Sequence, residues 1–408
     1  MKHIILIASV LLITGLNFYL SRGIRALFNK PGNKRIFNIV FWIWSIPLPI
    51  LILSIAYLPT EVFKGASRAI ILSYILFDVI SKLILLLFFL FDDGLFLAKK
   101  KIRMNKEKEV ENPSRKKFLK QTGMAASLIP VTGFSFGIIK GGHDYQWFEH
   151  KIKVPGLPKA FHGLRIGQLS DIHSGSFYNK SAVMGGVEMF MKEKTDIVFF
   201  TGDIVNDQAR EIKDYFDVFS KVKAPLGVYS TLGNHDYGNY TNWKSREAKI
   251  RNFKGIVDAH EQLGWELLRN ENRILELEGE RLGIIGVENW SSSSRFPKYG
   301  DLIKAKAGTE RLSHNILLSH DPSHWEAQIM PEHDDIFLTL SGHTHGFQMG
   351  IETPFFRWSP AQYLYKQWAG MYNNGSQYLN VNRGFGFIGY PGRIGIAPEL
   401  SLIELLSV

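Results

Sequence analysis

Phe199-Phe200-Thr201-Gly202-Asp203-Ile204-Val205-Asn206-Asp207 is the stretch on which the reading of this chain turns. Ile197 to Phe200 is a short β-branched and aromatic run, the signature of a buried strand. Gly202 allows a sharp exit, which sets Asp203 at the carboxyl end of that strand, where sites on open α/β sheets collect. Gly-Asp after a strand is by itself an ordinary turn. It gains weight because four other stretches carry metal-ligand side chains at similar strand ends. They are Asp171-Ile172-His173, Gly233-Asn234-His235-Asp236, Ser319-His320 and Gly342-His343-Thr344-His345.

Outward from these blocks, the second half of the chain alternates short apolar strands with helical or loop stretches. Leu164–Leu169 reads as a strand delivering Asp171 and His173, whose i, i+2 spacing on an extended chain shares one face. Ser181 is positioned to cap a helix over 182–194. Further helices are expected over 209–222 and 244–262, and Gly227–Leu232 leads into the Asn234-His235-Asp236 turn. Residues 265–269, 273–278 and 281–287 read as a meander, with Gly279-Glu280 as one turn. The four serines and Arg295, Pro297 and Gly300 make 291–308 a loop. Asn315–Ser319 and Ile336–Leu340 are two more buried strands leading to histidines, and 378–382 and 399–405 are the last. The pattern is α/β, two packed sheets flanked by helices.

The first 150 residues are of another kind. Ile4–Leu20, Ile36–Leu58 and Ala69–Phe91 are apolar runs of 17, 23 and 23 residues. At 1.5 Å per residue a 23-residue helix spans roughly 35 Å, enough for a bilayer core of about 30 Å. Pro47 and Pro49 are expected to kink the second helix, and Asp78 and Lys82 fall on one face of the third, as an ion or substrate path or as a self-neutralising pair facing the bundle. A basic linker (96–121) follows, and its Ser114-Arg115-Lys116-Lys117-Phe118-Leu119 resembles a twin-arginine export signal with Lys116 in place of the second arginine. Thr122–Ile139 then gives 18 residues suited to a fourth span or an export h-region. The expected division is three transmembrane helices (1–95), the linker, the fourth segment (122–140) and a catalytic domain (150–408). By the positive-inside rule the basic loops are expected to place the amino terminus and the catalytic domain outside, or the catalytic domain in the cytoplasm if the 122–139 run does not cross.

Net charge is +10, but residues 1–150 hold 20 basic against 9 acidic side chains, leaving 28 against 29 in the remainder. The excess therefore belongs to the membrane third, and a phosphate-tracking groove for nucleic acid on the globular part is not supported. There is no cysteine, which excludes disulfides, thiolate metal sites and cysteine nucleophiles.

The five blocks, in this order and over about Phe161–Leu405, resemble the calcineurin-like metallophosphoesterases, and in particular their membrane-tethered subgroup, which is similar to UDP-2,3-diacylglucosamine pyrophosphatase-type enzymes. The resemblance implies a four-layer α-β-β-α sandwich. It puts Asp171, His173 and His345 on one metal and Asn234, His320 and His343 on the other, with Asp203 bridging. Two divalent ions are implied, of the Mn, Fe or Zn type that carboxylate, imidazole and amide donors suit. Such a pair can share an activated hydroxide and hold the attacking and departing oxygens of a phosphoryl group. His235 is then the group that stabilises the phosphoryl oxygen or protonates the leaving group, oriented by Asp236. Asp207 falls outside the blocks and reads as a turn residue. Arg383 reads either as a phosphate clamp or as a salt-bridge residue. Phe347 departs from the subgroup's second glycine. The aromatic stretch 355–368 reads as a lid, a lipid-facing surface or a core-capping loop. The implied activity is hydrolysis of a phosphodiester or pyrophosphate, on a phosphorylated small molecule or a lipid-linked envelope substrate. A phosphomonoesterase acting on soluble nucleotides or phosphoproteins, and an inert membrane-anchored scaffold, are the competing readings.

Overall fold

The computed structural model describes residues 2–58, 65–102 and 113–408, and the chain divides into two units, Met1–Phe136 and Gly137–Val408.

The first unit is helical: α1 (Lys2–Arg25), α2 (Pro31–Ser45), α3 (Pro47–Tyr57), α4 (Gly65–Ile102) and α5 (Pro113–Ile139), the last extending just past the boundary. Among the described residues four segments are long and apolar enough to cross a membrane: Leu6–Arg25, Pro31–Tyr57, Ser67–Gly94 and Lys117–His143. The second is interrupted where expected. Ile46 keeps helical dihedrals and its N–H reaches Trp42 O, but Pro47 has no N–H to continue the ladder. Asp78 and Lys82 are buried together, Nζ 2.7 Å from Oδ2. Residues 103–112 of the basic linker lie outside the described residues. The export-like stretch falls in the first turns of α5.

The second unit contains two six-stranded sheets. The first runs β1 (Gln146–Val154), β14 (Glu399–Ser407), β2 (Arg165–Leu169), β3 (Ile197–Phe200), β4 (Val228–Ser230) and β5 (Glu266–Leu267) in spatial order. The second runs β12 (Gly370–Asn374), β13 (Gln377–Val381), β9 (Ile336–Ser341), β8 (Asn315–Leu318), β7 (Glu280–Gly286) and β6 (Glu271–Leu277). A small hairpin, β10 (Ile351–Glu352) and β11 (Arg357–Trp358), stands apart from both.

β2, β3 and β4 pair in parallel, as do β7, β8 and β9, and such strands are covered on both faces. In β3, Ile197 and Phe199 point between the sheets, where they meet Leu282, Ile284, Ile316 and Leu340. Val198 and Phe200 point the other way, against α6 (Lys180–Lys192), α7 (Phe216–Phe219) and α8 (Arg246–Leu263). On the far side, α9 (Leu302–Lys306) and Trp325 cover Ile285, Leu317 and Leu379. The result is the four-layer α-β-β-α sandwich. The parallel strands of both sheets deliver their carboxyl ends to one edge, and the polar loops gather there.

Several local expectations are corrected. Asn179, not Ser181, caps α6, its side chain accepting from Ala182 N at 3.1 Å. Only Phe216–Phe219 of the expected 209–222 helix is α-helical. The rest is two 3₁₀ turns, the first closed by a Gln208–Glu211 capping box. Residues 266–267 join the first sheet beside β4 rather than the meander. The β6–β7 turn sits one residue earlier, at Glu278-Gly279, both with positive φ (52° and 80°) as a type I′ hairpin turn requires. α9 interrupts the 291–308 loop, capped by Asp301.

Candidate metal centre

Each proposed ligand stands just past the end of a strand, and sharp main-chain turns are needed to converge them. Asp171, His173, Asp203, His343 and His345, five of the seven, have left-handed backbones with φ of 51°, 48°, 61°, 70° and 52°. This conformation costs an L-residue about 1–2 kcal/mol, and such residues cluster where function requires them. The glycines beside them are equally constrained. A Cβ on Gly342 would fall onto Ser170 Oγ and Asp171 Oδ2, and one on Gly202 onto the main chain of Gly233.

Two triads result, buried except for His343, which is partly exposed. In the first, His345 Nε2 lies 3.2 Å from Asp171 Oδ1 and 3.0 Å from His173 Nε2, and the second is Asp203 with His320 and His343. Within each triad one donor atom per residue lies within 4.8 Å of the others, so each can hold a metal ion. Asp203 is central: its Oδ2 is 3.5 Å from His173 Nε2 and 3.1 Å from His320 Nε2. Its other oxygen accepts from His235 N at 2.8 Å.

The donor set fits two divalent cations. Buried polar atoms normally have hydrogen-bond partners, yet Asn234 Oδ1 and His320 Nε2 are buried without one, the latter despite its short approach to Asp203. His320 Nδ1 lies 2.7 Å from Thr201 O, a carbonyl that can only accept. Nδ1 therefore carries a proton, which leaves Nε2, the nitrogen facing the carboxylates, as the one a metal ion would take. The field points the same way. Burial alone would lower His320, but Asp203 and Asp171 outweigh it and push its pKa up to about 10. Burial would raise Asp171 and Asp203, yet the neighbouring imidazoles hold both below the usual carboxylate range. A site that binds a proton this strongly also attracts cations.

The groups behind the donors are visible too. Asp171 accepts from Ser170 Oγ (2.6 Å) and His343 N (3.0 Å). His343 Nε2 is 2.8 Å from the Tyr365 hydroxyl and 3.5 Å from Asp321 Oδ2. Sequence reasoning missed Tyr365 and Asp321 as site residues. Asp321 directly follows His320, which was the one available hint; Tyr365 arrives from a loop with no register to follow.

A cavity of about 650 Å³ opens on the centre, lined by His173, Asp203, Asn234, His235, His343 and His345, with Arg295, Phe296, Phe347, Leu364, Tyr365 and Lys366 toward its mouth.

Two expectations change. His235 Nδ1 donates to Asn206 O at 2.7 Å. Asp236 does not orient that ring: it is buried, and its oxygens accept from Gly233 N (2.8 Å), Asp203 N (2.9 Å) and Ile204 N (3.0 Å). Burial and then the Asp203 charge push its pKa up to about 7. It fastens the Asp203 turn to the Asn234 turn. Arg383 is no phosphate clamp, because it is buried with its guanidinium committed to Glu399 and Glu352. Phe347, where the subgroup has glycine, adopts φ 57° within a left-handed run from Gly346 to Gln348 and is half exposed. Asp207 is the expected turn residue, its Oδ1 accepting from Tyr240 N at 3.0 Å.

Fold and paired triads together define a metal-dependent hydrolase of phosphoric esters. The calcineurin-like phosphoesterase profile matches residues 164–347, and the profile described as "Probable Calcineurin-like phosphoesterase, transmembrane domain" matches residues 1–142. A Bacillus subtilis protein named uncharacterized metallophosphoesterase YkuE is 30% identical over 305 residues, covering 72% of this chain and 98% of that protein. A Danio rerio transmembrane protein with metallophosphoesterase domain is 27% identical over 347 residues, covering 82% and 74%. The chain belongs to the calcineurin-like metallophosphoesterase family and is a membrane protein. That family uses two divalent metals.

Proposed function

We propose that this protein is a multi-pass membrane hydrolase that cleaves a phosphodiester or pyrophosphate bond in a lipid-linked substrate, with the catalytic domain on the outer side. The observation that carries the catalytic part is Asp203 Oδ2 between His173 and His320, one carboxylate within reach of both triads. Asp171, His173 and His345 would hold one divalent ion and Asn234, His320 and His343 the other, with Asp203 common to both. Ions so held polarise phosphoryl oxygens and lower the pKa of water.

The chain's own residues do the rest. His235 lines the cavity with Nδ1–H tied to Asn206 O, so its Nε2 is the nitrogen available to a phosphoryl or leaving-group oxygen. Tyr365 and Asn234 border the same space, and Tyr240 fixes the Asn234 amide through its Nδ2 at 2.9 Å. Arg295 at the mouth favours an anionic substrate, while Lys366 there is paired with Glu326 of the same lining. Phe296, Phe347 and Leu364 supply apolar wall beside them, which suits an amphiphile better than a free nucleotide.

The test uses full-length protein in detergent, stripped of metal and given Mn. Bis-p-nitrophenyl phosphate should be hydrolysed faster than p-nitrophenyl phosphate, and a lipid-linked pyrophosphate faster than a soluble one. Preference for the monoester would establish a phosphomonoesterase instead, and metal binding without turnover an inert scaffold. Protease accessibility of residues 150–408 in intact cells tests the orientation, and protection would place the domain inside.

A further inference from the structure

The β10–β11 hairpin ends in Thr353-Pro354-Phe355-Phe356, a tip without a charged residue. It is closed tightly, with Thr353 N donating to Phe356 O at 2.9 Å and Phe356 N to Thr353 Oγ1 at 3.0 Å. Phe355 is 98% exposed and Phe356 55%. Phe347, Tyr363 and Leu364 are also exposed, and Phe347 and Leu364 line the cavity mouth as well. The charges at the hairpin base neutralise one another: Glu352 is shared by Arg383 and Arg357, the latter 3.3 Å away. Exposed apolar patches rimmed by polar residues mark surfaces that meet a protein or a membrane.

We infer that this tip is a bilayer-docking surface that sets the cavity mouth against lipid headgroups. Chain connectivity argues for lipid over a protein partner. Six residues separate the end of α5 at Ile139 from the start of β1 at Gln146, a reach of about 20 Å when extended. The phosphoesterase is therefore held beside a membrane permanently, and a bilayer surface is the one apolar partner always within range. Aromatic side chains favour the membrane–water interface, and a convex tip enters a bilayer without needing a matching groove.

The inference rests on membrane attachment and deepens the lipid-substrate reading, but its test reads contact rather than turnover. The chain has no cysteine, so Phe355→Cys creates a single labelling site at a position too exposed to disturb the fold. Full-length F355C carrying a nitrobenzoxadiazole fluorophore is reconstituted in phosphatidylcholine–phosphatidylglycerol vesicles, with exposed Lys223→Cys as the reference. The expected result is blue-shifted emission, quenching by spin-labelled lipid at a depth of about 5–10 Å, and protection from aqueous iodide, none of which the reference shows. Iodide quenching equal to the reference would overturn the inference. So would a blue shift without lipid quenching, which would mean that the tip packs on protein. Failure to cleave a lipid-linked substrate, with the label inserted, would count against the substrate reading alone.

Discussion

His235 and Asn206 are joined through one hydrogen bond, from the imidazole Nδ1–H to the main-chain oxygen 2.7 Å away, and this bond fixes which face of the ring the cavity receives. Because the acceptor is main chain, no substitution of the Asn206 side chain removes it directly. The ring's orientation depends on the backbone of the Asp203–Asp207 turn.

His235→Ala should retain both metals and lose turnover by about 10²–10⁴, the range for a positioned acid or base. Metal analysis of the purified variant beside its kcat checks this, and a drop in metal content would move His235 into the ligand set.

Asp236→Ala should behave differently. Its carboxylate accepts three main-chain N–H groups that would be left buried and unpaired, at about 1–3 kcal/mol for each group. Metal content, thermal midpoint and rate should fall together. A variant that loses rate alone would restore Asp236 to an orienting role.

Asp203→Asn should collapse both metal occupancy and hydrolysis while circular dichroism stays that of the folded protein. Two metals retained at full activity would refute the shared-carboxylate assignment.

Arg383→Gln should leave buried Glu399 without its cation and Glu352 with Arg357 alone, and removing one partner of a buried pair costs about 3–5 kcal/mol. The thermal midpoint should drop while KM of the folded fraction stays unchanged. A raised KM at unchanged stability would return Arg383 to the substrate.

His260 supplies the pH test. It is fully buried between Phe200 and Trp265, neither ring nitrogen has a partner, and burial lowers its pKa to about 3. A depressed folded pKa means stability that is complete above the unfolded value near 6.5 and lost as pH falls through the window down to 3. Between pH 7.5 and 5 the native protein should lose about 2 kcal/mol that His260→Leu does not. Parallel thermal unfolding curves for the two would refute this.

The sandwich and the six donors of the two triads were legible because apolar runs that read as strands lead into their turns. Ile197–Phe200 before Asp203 and Ile336–Leu340 before His343 leave little choice. The features that escaped were set by tertiary partners. The roles of Asp236 and Arg383 depend on which backbone amides and carboxylates the fold brings to them, and sequence spacing carries no record of that. Tyr365 reaches His343 from 22 residues away through an irregular loop. The 209–222 stretch has helical composition, but the Gln208–Glu211 box closes its first turn separately and leaves only Phe216–Phe219 as α-helix. The 266–267 strand looked continuous with the meander, though Tyr229 and Ser230 claim it for the other sheet.

The left-handed dihedrals at Asp171, His173, Asp203, His343 and His345 bear on how the centre is loaded. Their bends are held by neighbouring main chain, through Gly202, Gly342 and the Asp236 anchor. The shape of the cradle is thus set by the main chain around it. Exchanging one divalent species for another should then alter turnover while leaving the backbone around these five positions where it is.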